Sequence, residues 1–239
     1  MTTTLHVLHL YPNEMNTYGD RGNLLCLVRR AEWYGLDVVV HYYHVGADLP
    51  KQVDLVLGGG GQDAAQADIQ TDILRIGSRL HKLVDHDVPM LMVCGTYQLF
   101  GNRFITSAGE EIQGIGIFDV ETLGSHKRLI GNTAVQTTDF GTLYGFENHS
   151  GRTYLRADQA ALGKITRGNG NNGEDKTEGA RTRNAIGTYL HGPLLPSNPL
   201  LADGLLSMAA ARYGVSLEKL DHDDSLAEQV RMTAVHRKY

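Results

Sequence analysis

The chain has 239 residues, enough for one large domain or two small ones, and its formal charge of -5 argues against a nucleic-acid-binding surface. Its two cysteines are too few for a disulfide framework, and the sequence shows neither a secretory signal nor an apolar run of membrane-spanning length. We therefore expect a cytoplasmic protein with reduced thiols.

Short apolar runs alternate with amphipathic stretches in the first part of the chain. Strands are predicted at residues 5–10, 38–40, 53–57 and 89–93. Asp20 is placed to cap a first helix that ends at Gly35, and Asp63 with Gln66 resembles a capping box at the start of a second helix. This alternation of strands and helices predicts an α/β fold with a mainly parallel central sheet flanked by helices.

The pattern changes after Gly101, where predicted strands follow one another without long helices between them and indicate an added antiparallel portion. These strands cover residues 115–120, 133–138, 142–146 and 185–190. The polar, glycine-rich segment 168–179 predicts a solvated and mobile loop. Asn198 followed by proline predicts a helix that ends at Gly214, and a last helix is expected to begin near Asp224.

The domain organisation follows from the absence of internal repeats and of composition breaks. We expect a single domain over residues 1–239, with a core at about 5–200 and C-terminal helices at about 198–239.

The segment 221–224 resembles a polar approach to a helix more than a metal-binding loop, because EF-hand spacing is absent.

Cys94 directly follows the apolar run 89–93 and precedes Gly95. A thiol at a sharp strand-to-helix turn lies near helical N–H groups, which lower its pKa and favour the nucleophilic thiolate. A free cysteine is more commonly a small buried residue. From this position alone, the two interpretations are equally open.

A candidate base and a glycine loop also follow predicted strands. His191 comes after the run 185–190, and glycines occupy positions 58–61 after the run 53–57. Because parallel strands end at one edge of a sheet, both could share a crevice with Cys94, where the imidazole accepts the thiol proton and backbone N–H groups form an oxyanion hole. The alternatives are a surface histidine and, for the glycines, a tight turn or a phosphate cradle, although no Gly-Lys-Ser/Thr follows.

Two motifs resemble the catalytic segments of class I (triad-type) glutamine amidotransferases, and more narrowly of their cobyric-acid-synthase-like branch. They are Cys94-Gly-Thr-Tyr-Gln98 and Tyr189-Leu-His191-Gly. Within that branch, segments 11–23, 58–63, 145–153 and 187–196 resemble the glutaminase subunits of lipid II isoglutaminyl synthases. The resemblance spans residues 5 to about 200 and implies a class I glutamine amidotransferase domain.

The resemblance implies hydrolysis of L-glutamine to glutamate and ammonia through a γ-glutamyl thioester. It assigns the nucleophile to Cys94, proton transfer to His191, backbone oxyanion donors to Gly60 and Gly95, and glutamine binding to Arg128 and Gln98. A guanidinium suits the α-carboxylate of glutamine because the two groups pair in a bidentate manner. Without the resemblance, Arg128 would be interpreted as a solvated surface charge.

The sequence departs from the commonest class I pattern at the carboxylate that orients the histidine. That pattern is His-x-Glu, whereas Gly192 and Pro193 follow His191 here, and Met92 and Thr96 stand where glycines often flank the nucleophile. The resembled subfamily also lacks this glutamate, and its third triad member is an aspartate that a partner subunit supplies. We therefore expect the isolated chain to be a poor glutaminase, because an unoriented imidazole is a weaker base.

The implied partner is a Mur-ligase-like ATPase that forms a heterodimer with this chain and amidates the D-glutamate α-carboxylate of lipid II to D-isoglutamine. ATP and Mg are expected on that partner, and no cofactor is expected in this chain, which has no P-loop. Residues 20–21 and 148–152 are candidates for the interface or, equally, for turns and caps. No metal site is predicted, because nothing completes a ligand set around His41 and His44.

Three functions remain open at this level. The first is the glutaminase subunit of a cell-wall amidotransferase, acting at the inner face of the membrane through its partner. The second is a stand-alone glutaminase or a cobyrinate-type amidotransferase. The third is a catalytically inactive module that binds and regulates an ATPase.

Overall fold

The computed structural model describes residues 3–218, 220 and 223–236. In chain order its elements are β1 (Thr4–Leu10), α1 (Arg21–Trp33), β2 (Asp37–Tyr43), β3 (Leu55–Gly58), α2 (Asp63–Asp85), β4 (Met90–Val93), α3 (Gly95–Leu99), β5 (Arg103–Ile105), β6 (Glu111–Gln113), β7 (Val120–Thr137), β8 (Thr142–Leu155), β9 (Gly163–Arg167), β10 (Thr177–Glu178), β11 (Ala180–Thr182), β12 (Ala185–Thr188), a 3-10 turn (Leu195–Ser197), α4 (Pro199–Ala211) and α5 (Ser225–His236). No helix among these residues is long and apolar enough to cross a membrane.

The central sheet has the strand order β11-β12-β4-β3-β1-β2. All neighbouring pairs are parallel except β11 and β12. Strands β3 and β4 are buried along their whole length, as their continuous apolar runs require in a sheet covered on both faces. The predicted α/β class with a mainly parallel sheet is confirmed, and β1, β3, β4 and β12 all end at the same edge.

The helices begin and end close to the predicted residues, but the predicted capping contacts are not formed. Asp20 immediately precedes α1 and Gly35 follows it with a φ of 70°, as predicted, but the Asp20 side chain makes no capping hydrogen bond. The capping box at α2 is wrong: Gln62 is the cap residue, and the Gln66 side chain donates instead to Gln98. The Asp20 side chain instead accepts the Gly60 N–H, and Gln66 bonds to a residue of α3, so both side chains make contacts that are distant in sequence.

The second sheet has the order β10-β9-β7-β5-β6, with β8 also paired to β7. Its pairs are antiparallel except β5 with β7. The predicted strand 142–146 falls within the longer β8, and the predicted strand 133–138 falls within β7 except for its last residue. The strand predicted at 115–120 is wrong except for its last residue: Gly116 has a φ of 68°, and Phe118 packs into the core without pairing in a ladder.

The segment 168–179 is anchored, which corrects the prediction of a solvated, mobile loop. Asn171 and Asn172 are buried, and the Asn171 side-chain amide donates to the carbonyl of Gly179 at 2.9 Å. The Glu147 carboxylate accepts the backbone N–H groups of Asn169 and Gly170. The segment is polar because its polar groups bond to one another and to β8.

The C-terminal elements largely follow the prediction. Asn198 precedes Pro199 at the start of α4, but its side chain bonds to the backbone of Tyr144 and does not cap the helix. Helix α4 ends at Ala211, before Gly214. Helix α5 begins directly after Asp224 as expected, while residues 221, 222 and 237–239 of the predicted C-terminal region lie outside the described residues.

Candidate active site

Cys94 occupies the turn between β4 and α3. Its φ of 52° and ψ of -104° are unusual for a residue other than glycine. Such strained strand-to-helix elbows present a nucleophile at the end of a sheet. The Cys94 N–H donates to the Thr188 carbonyl at 2.8 Å, which ties the turn to the end of the neighbouring strand β12.

The glycine loop 58–61 brings the three predicted groups together. A Cβ atom built at Gly60 would lie 3.2 Å from Cys94 Cβ and 3.0 Å from the Cε1 atom of His191. A side chain at Gly59 would collide with the Met15 carbonyl oxygen, so this loop packs tightly against the segment that follows β1. The C-terminal ends of β3, β4 and β12 thus converge on one site, as predicted.

His191 is fixed by its backbone and covered at its ring. Its N–H and C=O groups form a two-way bridge with Phe146 of β8, so the second sheet holds it in place. Its side chain is 1% exposed, and neither ring nitrogen has a partner among the described residues. Burial, assisted by the positive charge of Arg128, lowers the pKa of His191 to about 3.

The thiol pKa moves in the direction opposite to that expected. Burial and, to a smaller extent, the negative charge of Asp20 raise the pKa of Cys94 to about 12. The N–H of Gly95 and the charge of Arg128 act in the predicted direction but are weaker. The described site therefore holds a neutral thiol beside a neutral imidazole at neutral pH.

A cavity of about 580 Å³ opens beside Cys94 and is lined in part by Arg128. The Arg128 guanidinium is positioned by Asn148, donating to its side-chain oxygen at 2.8 Å and to its carbonyl at 2.7 Å. Asp63, at the start of α2, also lines the cavity. The cavity thus presents a cation and a carboxylate beside the thiol, which suits a small zwitterion such as an amino acid.

Gln98 lines the same cavity, and both ends of its amide are hydrogen-bonded. Its oxygen accepts from Gln66 at 2.8 Å, and its nitrogen donates to the Tyr189 hydroxyl at 3.0 Å. The side chain is 4% exposed. These two bonds fix the orientation of the Gln98 amide, which still has one N–H donor and one oxygen lone pair beyond them.

Three residues to which the sequence assigned no catalytic or substrate-binding role surround Cys94 and His191. Tyr18 covers the His191 ring, Asn148 orients Arg128, and Asp20 accepts the Gly60 N–H at 2.8 Å. All three fall in segments that carried the family resemblance, which was the available signal. Among the described residues no group of acidic, histidine or cysteine side chains could hold a metal ion, and His41 bonds to His6.

An α/β domain with a buried cysteine at a strand-to-helix elbow and a histidine at the next strand end has the architecture of the triad-type amidotransferases. The model of the CobB/CobQ-like glutamine amidotransferase domain matches residues 6–199, and the chain belongs to this family. It is 37% identical to the GatD subunit of the glutamine-hydrolysing lipid II isoglutaminyl synthase of Staphylococcus aureus, over 98% of this chain and 96% of the relative. The corresponding subunit of Streptococcus pneumoniae is 38% identical over 95% and 88%.

More distant relatives share the domain or the fold. A cobyric acid synthase of Sinorhizobium medicae is 30% identical over 72% of this chain but only 35% of its own length. A crystal structure of a glutamine amidotransferase has a TM-score of 0.61 at 13% identity, covering 87% of this chain and 99% of its own. PurLQS from Thermotoga maritima has a TM-score of 0.59 at 13% identity over 90% and 100%. These two structures support the fold alone.

Proposed function

We propose that this chain is the glutamine-hydrolysing subunit of a lipid II isoglutaminyl synthase. The observation that carries the proposal is the meeting of Cys94, Gly60 and His191 at one sheet edge, beside a cavity whose wall holds Arg128. The near-full-length similarity to the GatD subunits narrows the reaction from glutamine hydrolysis in general to cell-wall amidation.

In the proposed reaction, the Arg128 guanidinium binds the α-carboxylate of glutamine and directs the side-chain amide towards Cys94. His191 accepts the thiol proton as the sulfur attacks the carbonyl carbon, and then gives that proton to the departing nitrogen. Ammonia leaves a γ-glutamyl thioester, which water hydrolyses to glutamate and the free thiol. Because thiol and imidazole are both neutral at rest, proton transfer accompanies the attack.

The tetrahedral intermediate carries a negative oxygen that needs hydrogen-bond donors. We assign these donors to the N–H groups of Gly60 and Gly95, since both lie next to Cys94. The Gly95 N–H also lowers the pKa of the Cys94 thiol, which supports its role as a donor to negative charge at this position. In this proposal Gln98, which lines the same cavity, contributes to glutamine binding with the part of its amide that Gln66 and Tyr189 leave open.

The partner in this proposal is a Mur-ligase-like ATPase that holds ATP and Mg, receives the ammonia and supplies an aspartate to His191. Two unpartnered ring nitrogens support an incomplete site. A second cavity, of about 210 Å³, reaches His191 between β8 and α5, and offers a carboxylate an approach away from Cys94. Because the partner consumes ATP, we place the reaction in the cytoplasm, at the inner face of the membrane.

The test uses the complex of this chain with its co-purified partner. Cys94→Ser should abolish glutamine-dependent amidation of lipid II and leave amidation with added ammonium intact, because only the ammonia source is lost. Unchanged glutamine-dependent amidation would rule out the enzymatic role and favour a regulatory module. Mass identification of the co-purified chain checks the partner, and recovery of the chain alone with full glutaminase activity would favour a stand-alone enzyme.

A further inference from the structure

The Asp20 carboxylate holds the backbone donor that the proposed reaction needs. Its Oδ2 atom accepts the Gly60 N–H at 2.8 Å. The residue is 4% exposed, and its Oδ1 atom is buried without a hydrogen-bond partner among the described residues. An anionic oxygen of this chain thus sits where the negative oxygen of the intermediate has to bind.

Asp20 belongs to the immediate surroundings of the catalytic pair. A Cβ atom built at Gly60 would lie 3.5 Å from Asp20 Oδ2, and the same point is close to Cys94 and His191. After burial, the charge of Asp20 is the largest contribution to the raised pKa of the Cys94 thiol. Asp20 therefore acts on the donor and on the nucleophile at once.

The segment between β1 and α1 fixes this arrangement from both sides. The Thr17 N–H donates to the Gly60 carbonyl at 3.0 Å, while Asp20 takes the Gly60 N–H. Tyr18, between them in sequence, covers the His191 ring. The segment 17–20 thus restrains the glycine loop 58–61 and covers His191. Displacement of this segment would release the Gly60 N–H and uncover the imidazole.

We propose that Asp20 is a positioning residue that keeps the resting site inactive, because its carboxylate occupies the Gly60 donor and has to leave before the intermediate can bind there. The inference rests on the proposed hydrolysis of glutamine at Cys94. It adds a competition inside the chain between a carboxylate and an oxyanion for one N–H group.

The ionisation of Asp20 and of the groups around the Cys94 thiol defines the pH range in which the Asp20 carboxylate is charged and competes for the Gly60 N–H. Burial raises the pKa of Asp20 to about 6, although the Gly60 N–H opposes this. Across the cavity, Asp63 raises and Arg128 lowers the thiol pKa. The uncharged His191 and Tyr18 complete the surroundings. Since these other groups are unchanged in a variant at position 20, a comparison with the wild-type chain isolates the charge of Asp20.

The first test measures the reactivity of Cys94 in the full chain without glutamine. Methyl methanethiosulfonate reacts with thiolates, and mass spectrometry separates Cys94 from Cys26 in one sample between pH 5 and 8.5. In Asp20→Asn the amide oxygen can still accept the Gly60 N–H, so only the charge is lost. The ratio of variant to wild-type rates at Cys94 should rise from about one at pH 5 to about tenfold above pH 7, with a midpoint near the pKa of Asp20.

The controls separate this effect from a general loosening of the segment. Glu14→Gln removes a charge from the same segment without touching Gly60, and its ratio should stay at one at every pH. The rate at Cys26 should be unchanged in all variants. A ratio of one throughout for Asp20→Asn, or the same rise in Glu14→Gln, would overturn the proposal.

The second test is steady-state glutaminase activity of the isolated chain. Asp20→Ala vacates the Gly60 donor, so kcat should rise at least about threefold with little change in KM. A fall in kcat together with an unchanged Cys94 reactivity would indicate a structural role instead. Absence of hydrolysis in every variant and in the complex would contradict the glutaminase proposal, while the thiol reactivity would still report on Asp20.

Discussion

The phenol ring of Tyr18 lies over the imidazole of His191, with the ring centroids 4.1 Å apart and the planes inclined by 41°. Its hydroxyl donates to the Asn148 carbonyl and accepts from Arg128, so the ring over the base is linked to the residue that we assign to the substrate carboxylate. This cover excludes water from the imidazole, and burial is the main cause of its low pKa.

Opening this cover should return His191 towards ordinary behaviour. In Tyr18→Ala, water reaches the ring and the pKa of His191 should rise from about 3 towards 6.5. The acid limb of kcat/KM should move to higher pH, because more imidazole is protonated and unable to act as base. Tyr18→Phe keeps the ring and should leave the limb within about half a pH unit; an equal shift in both variants would contradict the role of the ring.

Arg128 should determine the affinity for glutamine. Arg128→Ala in a Cys94→Ala background should weaken glutamine binding by about tenfold to a hundredfold in calorimetry, since a charge-assisted pair is lost. For an analogue that lacks the α-carboxylate, the same substitution should cost little. Arg152 bonds to backbone carbonyls of the same hairpin and is the matched control. Equal losses for both ligands would argue against carboxylate recognition.

Glu178 should make stability depend on pH. It is fully buried, and burial raises its pKa to about 7 from 4.5. Between these values the carboxyl ionises in the unfolded chain but stays protonated in the folded one, so the free energy of unfolding falls as pH rises. Glu178→Gln should be stabilising by about 1–3 kcal/mol at pH 8 in urea unfolding and nearly neutral at pH 4.5. The exposed Glu32→Gln should show no such trend.

Loss of Arg30 should lower the free energy of unfolding, because this residue of α1 links α1 to α4 and to the start of α5. Its nearly buried guanidinium pairs with Asp203 of α4 at 2.6 Å and with Asp224, directly before α5, at 2.8 Å. Arg30→Ala leaves these carboxylates without their cation and should cost about 3 kcal/mol of unfolding free energy. The neighbouring Arg29 is exposed and forms a surface ion pair with Glu32, so Arg29→Ala should change stability by less than about 0.5 kcal/mol. Similar losses in both would contradict the argument.

The sequence predicted the sheet edge and the residues that meet there for a simple reason. Alternating strands and helices force a parallel sheet, whose strands end at one edge, so the positions of Cys94 and His191 followed from local patterns. Tertiary partners could not be predicted in this way. Gln66 has the spacing of a capping box but bonds to Gln98, and the segment 168–179 has the composition of a mobile loop but bonds to Glu147.

The pKa of the Cys94 thiol likewise could not be predicted from local sequence patterns. Its local geometry, a turn before a helix, predicted an acidic thiol, and the Gly95 N–H does act in that direction. The larger effects are burial and the charge of Asp20, which depend on how distant segments close over the turn. Local patterns can therefore identify a nucleophile without giving its protonation state.

The hydrogen bond between the Cys94 N–H and the Thr188 carbonyl has a consequence for protein synthesis. Strand β12 pairs with β4 and leads into His191, yet it is made long after β4 has left the ribosome. A nascent or truncated chain that ends before β12 contains Cys94 but lacks His191 and the strand that fixes the Cys94 turn. If Cys94 and His191 act as we propose, glutamine hydrolysis is confined to chains whose synthesis has passed the second sheet.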